Sequence, residues 1–302
     1  MNAVQQIAAA THDSTIRKKA RQRMVDDNKQ LIANNFAKAA NQYNAHARVQ
    51  KRVAQALFDE LDQQLILGRG SQGNVNQPQF PKAMDLGCAT GINTATLASY
   101  AETTIGLDIS LGMLDIASAQ VERFNHNRLV SRSLHWLAAD AEHLPLASQS
   151  IDLVYSSMAM QWCESPSAAI AEIRRVLAPK GKAFLAIMLG SSMMELHKAY
   201  HALGIPSRVN SFHLEQDWLN AAAACTHHTK TFVDYHPDAL AMLKSLKSVG
   251  AATKQSPNNE SMCQASITRR ELKGLEQEMS QHAQGYPLSY DLLFLSIGAS
   301  AT

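Results

Sequence analysis

Apolar residues first recur at helical spacing. Phe36, Ala40 and Tyr43 stand at i, i+4 and i+7, and Val49, Val53, Leu57 and Leu61 form a second stripe. Stripes of this kind predict two short helices over residues 31–62, each with one face turned to a core. LGRGSQGNVNQPQFP (67–81) is rich in Gly, Asn, Gln and Pro, which predicts a linker or long surface loop. From Lys82 the rhythm changes to short apolar runs alternating with helical stretches.

KAMDLG predicts a strand ending in a Gly-rich turn, with INTATLASYA as the following helix. TTIGLD is the next strand and LGMLDIASAQVERF the next helix, with Ser110 as its N-cap. SLHWLAAD, IDLVYSS and KAFLAIML continue the strands, and SAAIAEIRRVLAP is a helix between the last two. HTKTFVDYH and LSYDLLFLSIGA supply two late strands around helices at 237–249 and 268–284. Strands that alternate with helices and read as buried on both faces predict an α/β fold with a parallel, doubly wound sheet.

Composition adds bounds. With 302 residues, 46% hydrophobic and 18% charged, the chain has an ordinary globular balance. No stretch approaches the roughly 20 apolar residues of a membrane span, and the N-terminus lacks the basic lead of a secretory signal. The cysteines, Cys88, Cys163, Cys225 and Cys263, lie far apart without metal spacing and read as reduced thiols of a cytoplasmic protein. The twelve histidines make no chelating pair, so no metal is expected. Residues 1–60 carry ten Lys/Arg against five Asp/Glu, and the remainder eighteen against twenty-one. The basic segment is either a solvated helical face or a lip attracting an acidic partner. The near-neutral total, with no basic aromatic platform, argues against nucleic acid.

Three turns carry candidate chemistry. Asp85-Leu-Gly87-Cys-Ala89-Thr-Gly91 joins a strand to a helix, where glycines let the backbone approach a ligand. Ile92 stands where a dinucleotide fingerprint needs its third glycine, which disfavours a nicotinamide enzyme. Asp108 ends the second strand, where a carboxylate can accept ribose hydroxyls. Asp140-Ala141 follows the third strand and is placed to meet an adenine amino group and ring nitrogen. Together the three turns describe one adenosine pocket at the switch point of the sheet.

Over residues 82–190 these turns resemble the class I methyltransferases, with IDLVYSS and RRVLAPKGKAFLAI as further matching stretches. The resemblance implies a Rossmann-like, seven-stranded, mostly parallel sheet with helices on both faces, an N-terminal helical lid and a helical insert after strand five. It divides the chain into a basic segment and lid (1–66), a cofactor core (82–190) and an insert with the last two strands (191–302), which completes the same domain. It also implies S-adenosylmethionine as cofactor, held by Asp85, Gly87, Cys88, Ala89, Gly91, Asp108, Ile109, Met113, Asp140, Ala141 and Ser156. Ala89 departs from the family's usual glycine, and its methyl is tolerable only at negative φ.

FAKAANQYNAHARVQ, SSMAMQWCESPSAAIAEIRRVLAPKG, MELHKAYHALG, LKSLKSVGA and GYPLSYDLLF are similar to the malonyl-acyl-carrier-protein O-methyltransferases of biotin synthesis. This narrower resemblance implies a malonyl carboxylate as methyl acceptor, on acyl carrier protein or coenzyme A. RVNSF (208–212) lacks the further basic residue the resemblance leads one to expect near Ser211. An ionised carboxylate needs no general base, so positioning and exclusion of water are expected to carry catalysis. Tyr43 on the lid, with Gln161 and Trp162 beyond strand four, are the candidate enclosing residues. Arg208, Lys244 and Lys247 are candidates for docking an acidic carrier. Another small-molecule methyltransferase, for instance on a quinone ring, and a non-catalytic assembly protein of the same fold are the alternatives.

Overall fold

The structure is a computed structural model that describes residues 26–68, 79–125, 133–249 and 267–298. The basic segment before residue 26, the Gly- and Gln-rich stretch 69–78, Cys263 and the end of LKSLKSVGA lie outside the described residues.

Residues 26–46 form helix α1, and α2 (Arg48–Gly68) follows after a break at Ala47. The core then runs β1 (Phe80–Leu86), α3 (Ile92–Leu97), β2 (Ala101–Asp108), α4 (Leu111–Asn125), β3 (Ser133–Ala138) and β4 (Ile151–Ser157). A 3₁₀ turn (Met160–Trp162), α5 (Pro166–Val176) and β5 (Leu177–Met188) continue it. The insert is α6 (Met194–Ala202) and α7 (Glu215–Ala222), followed by β6 (Thr226–His236), α8 (Ala239–Ser248), α9 (Arg269–Glu278) and β7 (Tyr286–Gly298).

All seven strands join one sheet in the order β3-β2-β1-β4-β5-β7-β6. β7 alone is reversed, pairing antiparallel with both β5 and β6. The chain steps outward from β1 to β3 and returns to lay β4 on the other side of β1, parallel to it. Between β1 and β4 the strand order therefore reverses, and their carboxyl ends diverge into a crevice.

Strand alternation divides the core. Ala83 and Phe184 face one cluster with Leu57, Tyr200, Met242 and Leu275, contributed by α2, α6, α8 and α9. Met84 and Leu185 face the other, with Ile170 and Ile173 of α5 and Trp218 of α7. Strands sandwiched this way read as continuous apolar runs.

Boundaries differ from the sequence expectation where local chemistry intervenes. The helix expected over 268–284 ends at Glu278, begun by a capping box in which Thr268 and Glu271 bond each other's N–H groups. That expected over 237–249 starts at Ala239, because Asp238 Oδ1 accepts the Ala241 N–H at 2.7 Å. α5 is capped by Ser165 and stops at Val176, where Leu177 turns extended and begins β5. Ser110 does not cap α4 with its side chain: its hydroxyl is buried without a partner. Asp108 takes the local role instead, Oδ1 accepting the Ser110 N–H at 2.8 Å as in an Asx turn.

Candidate active site

At the β1/β4 crevice lies a cleft of about 770 Å³, counting the part open to solvent. Its floor is the turn after β1. Gly87 has φ 78, and a Cβ there would lie 2.1 Å from the Ala159 Cβ, so no side chain fits. Ala89 is also left-handed, at φ 47, against the negative value its methyl was expected to require. The Ala89 N–H donates to Asp108 Oδ2 at 2.9 Å, so that bond accompanies a backbone conformation costing roughly 1–2 kcal/mol for a residue with a Cβ. Gly91, at φ 79, stands as N-cap of α3 beneath the Trp136 ring, outside the cleft.

Both acids of this floor are buried. Asp85 does not line the cleft; its Oδ2 accepts the Thr94 hydroxyl at 2.6 Å. Burial first, then the Asp108 charge, push its carboxyl up to about 7, although the Thr94 bond works the other way. Asp108 lines the cleft, and its pKa is raised by burial against the opposing pull of the Ser110 and Ala89 N–H groups. Ile109 and Met113 line the same wall. Cys88 is turned into a neighbouring cleft, its thiol held well above the ordinary range by burial and the two acids.

Asp140 and Ala141 close the far end. Asp140 Oδ1 accepts the Glu142 N–H at 3.0 Å, and Oδ2 meets Lys29 Nζ at 2.5 Å. The same ammonium lies 2.5 Å from Glu142 Oε2. Burial alone would lower the Lys29 pKa, but the two carboxylates outweigh it and hold it above the ordinary value. Burial likewise pulls Asp140 upward, and Lys29 overcomes it, leaving its pKa lowered.

α1 roofs the cleft. Lys29, Ile32, Phe36 and Tyr43 all line it, a spacing that puts them on one helical face. The roof sits close because Gly112 of α4 faces Ala37: an added Cβ would be 2.7 Å from that methyl. Trp162 lines the wall, its ring edge-on to Phe36 at 5.3 Å and to Phe212 of the insert at 5.5 Å. Burial and the Asp108 and Asp85 charges raise the Tyr43 pKa, so its hydroxyl keeps its proton.

Other candidates sit elsewhere. Gln161 is buried outside the lining, its Nε2 donating to the Met158 carbonyl at 2.7 Å. Ser156 also faces away, its hydroxyl donating to the Leu86 carbonyl at 2.7 Å, while the adjacent Ser157 lines the cleft. The Ser157 hydroxyl is buried and interacts with Tyr155. Lys244 and Lys247 are exposed on α8, and Arg208 pairs with Glu271 of α9 at 3.3 Å; none of the three lines the cleft. Sequence reasoning missed Lys29, Ser157 and Cys163. The only signal for Lys29 was that the Phe36 stripe, extended backwards at helical spacing, reaches Ile32 and Lys29.

A switch-point cleft with a glycine floor, a buried acid after β2 and an acidic turn after β3 defines an S-adenosylmethionine-dependent methyltransferase. The Methyltransferase domain family matches residues 84–185, from β1 into β5. A solved structure from Bacillus halodurans superposes with TM-score 0.51 at 12% identity, covering 74% of this chain and 93% of that one, which shows the fold alone. The malonyl-acyl-carrier-protein O-methyltransferase of Hahella chejuensis is 32% identical over 87% of this chain and 88% of that protein. The biotin biosynthesis bifunctional protein BioHC of Cellvibrio japonicus is 31% identical over 88% of this chain and 49% of that one. The chain belongs to the family of malonyl-acyl-carrier-protein O-methyltransferases.

Proposed function

We propose that the protein transfers a methyl group from S-adenosylmethionine to the free carboxylate of malonyl-acyl carrier protein, forming the methyl ester that enters biotin synthesis. The observation that carries this reading is the similarity to such an enzyme over 87% of the chain, far beyond the cofactor core. That breadth favours the carboxylate acceptor over a quinone ring, whose enzymes share only the cofactor half.

The site residues fit the cofactor. Ser157 brings a buried hydroxyl to the cleft, the Gly87 turn leaves a cradle that a Cβ would fill, and Asp108 lines the cleft with carboxyl oxygens able to accept ribose hydroxyls. In the assignment we favour, Asp108 would hold the ribose, and Ile109, Met113, Asp140 and Ala141 the adenine. Gly87 and Ala89 would leave room for the reacting end, with Asp85, Cys88, Gly91 and Ser156 shaping that turn from behind. When bound, the cofactor supplies an electrophilic methyl on a sulfonium that departs as a neutral thioether.

The chain's own task is positioning. A malonyl carboxylate is ionised at neutral pH, so no residue need remove a proton. Tyr43, protonated and on the roof, donates a hydrogen bond to the carboxylate and aims one oxygen at the methyl. Orientation of this kind is worth several kcal/mol. Trp162, between Phe36 and Phe212, excludes water from the anion. Gln161 acts indirectly, by holding the Met158 carbonyl. Among the described residues lining the cleft, Lys29 is the one Lys or Arg, and it is committed to Asp140 and Glu142.

The carrier docks on the face of α8 and α9. Lys244, Lys247, Arg269, Arg270 and Lys273 are exposed there, and Arg208 borders them through Glu271. Coenzyme A thioester is the alternative carrier of the same malonyl group. Intact-mass analysis of malonyl-acyl carrier protein after incubation with enzyme and S-adenosylmethionine tests the function. A gain of one methyl is expected, with severe loss for Asp108→Ala; an unchanged mass with the intact enzyme sinks the reading.

A further inference from the structure

The fixed charges of the cleft are set against an anion. Asp108 and Asp140 both line it, and Asp85 is buried behind the turn that makes its floor. Among the described lining residues one cation, Lys29, faces these acids. Its ammonium lies 2.5 Å from Asp140 Oδ2 and 2.5 Å from Glu142 Oε2, so it is outnumbered by carboxylates at its own end of the cleft. Lys51 lines the neighbouring cleft instead, its Nζ donating to the Asn44 carbonyl at 2.6 Å.

The resulting field reaches the roof. Tyr43 lines the cleft, and the charges of Asp108 and Asp85 add to burial in keeping its hydroxyl protonated. A potential that disfavours a phenolate at that oxygen also disfavours a carboxylate brought up to it. The acceptor assigned to this place is such a carboxylate. A hydrogen bond from Tyr43 orients it but supplies no net positive charge. The cofactor, when bound, supplies one at its sulfonium.

We infer that Asp85, Asp108 and Asp140 make the cleft an electrostatic gate, which admits the anionic acceptor only after a cation has bound there. Resting on the carboxylate-acceptor reading above, this gate sets an order of binding, cofactor first. The acids that attract a cationic cofactor keep the malonyl group out of the empty cleft, and the free enzyme does not tie up malonyl-acyl carrier protein.

The test compares two cofactor mimics that cannot donate a methyl group. Sinefungin carries an ammonium in place of the sulfonium, and S-adenosylhomocysteine carries a neutral sulfur. Malonyl-pantetheine is titrated calorimetrically into the intact protein saturated with either mimic, at about pH 8, above the Asp85 value of about 7. Acetyl-pantetheine is the neutral control. Malonyl-pantetheine is expected to bind the sinefungin complex on the order of tenfold more tightly than the S-adenosylhomocysteine complex, and acetyl-pantetheine to differ less than about twofold. Asp85→Asn keeps an oxygen for the Thr94 hydroxyl. It should narrow the malonyl gap to about threefold by strengthening binding to the S-adenosylhomocysteine complex. Thermal unfolding checks that variant, and the wild-type comparison stands without it. Equal malonyl affinity for the two complexes overturns the gate, as does an equal gap for acetyl-pantetheine. A gap that folded Asp85→Asn leaves unchanged would belong to the bound cation alone and overturns it too. Malonyl-pantetheine binding to neither complex instead overturns the carboxylate-acceptor reading beneath it, and the gate with it.

Discussion

Lys29 and Asp140 join the roof of the cleft to its far wall: the ammonium of α1 lies 2.5 Å from a carboxylate oxygen 111 residues further along the chain. Glu142 completes the arrangement and in turn accepts the Ser165 N–H at 2.8 Å at the start of α5. The roof, the turn after β3 and the start of α5 are thus linked through one partly buried cation. Lys29→Met leaves two carboxylates facing each other without it, at a cost of about 1–3 kcal/mol. The expected outcome is a lower unfolding temperature and faster dissociation of S-adenosylhomocysteine, with Lys29→Arg close to wild type. Stopped-flow release and thermal unfolding measure the two effects. Unchanged release in Lys29→Met would mean that the ion pair does not hold the roof.

Asp85 makes stability depend on pH in a direction opposite to most paired carboxylates. Its folded pKa, about 7, lies above the ordinary carboxylate value because burial disfavours the charge. The folded state therefore binds the proton more tightly than the unfolded chain. The contribution is fully present below about pH 4 and is lost as pH rises through about 7, an effect of at most roughly 4 kcal/mol. Asp85→Asn should flatten the fall in unfolding free energy between pH 5 and pH 8 seen by denaturant titration. A wild-type profile that rises over this window contradicts the assignment.

Ala89 stands at φ 47, and the methyl that distinguishes it from glycine is what makes that conformation costly. Ala89→Gly removes roughly 1–2 kcal/mol of strain but returns about 0.4–1 kcal/mol of freedom to the unfolded chain. A net gain below about 1.5 kcal/mol follows, read as an unfolding temperature higher by a few degrees at most. Loss of stability in this variant would show that the methyl makes packing contacts outweighing its backbone strain.

These residues also mark where the sequence was legible. Strand and helix alternation located all seven strands, and the turns after β1, β2 and β3 placed Gly87, Asp108 and Asp140 on one cleft, because periodicity and turn chemistry are local. What escaped was non-local or depended on phase. A lysine on a helical stripe reads as solvated until the fold brings Asp140 and Glu142 to it. Ser156 and Ser157 differ only by the side of the strand each faces, and nothing in IDLVYSS says which side lines the cleft. Gln161 is drawn inward by the carbonyl of Met158, a backbone partner that no side-chain pattern announces. The sign of φ at Ala89 is likewise a property of the folded turn.

The α8 face offers the sharpest separation of docking from chemistry. Lys244 and Lys247 are exposed and outside the cleft, so reversing their charge leaves the reacting centre unchanged. If an acidic carrier docks there, Lys244→Glu with Lys247→Glu raises KM for malonyl-acyl carrier protein roughly fivefold at low salt and leaves kcat near its original value. Added salt should shrink the difference, because exposed charges are screened over about 10 Å at 0.1 M. A small malonyl thioester without the carrier supplies the control, since it has no acidic surface to lose contact with and should be methylated equally by both proteins. A KM increase shared by both acceptors would relocate the effect to the cleft. No increase for either would place the carrier on another surface.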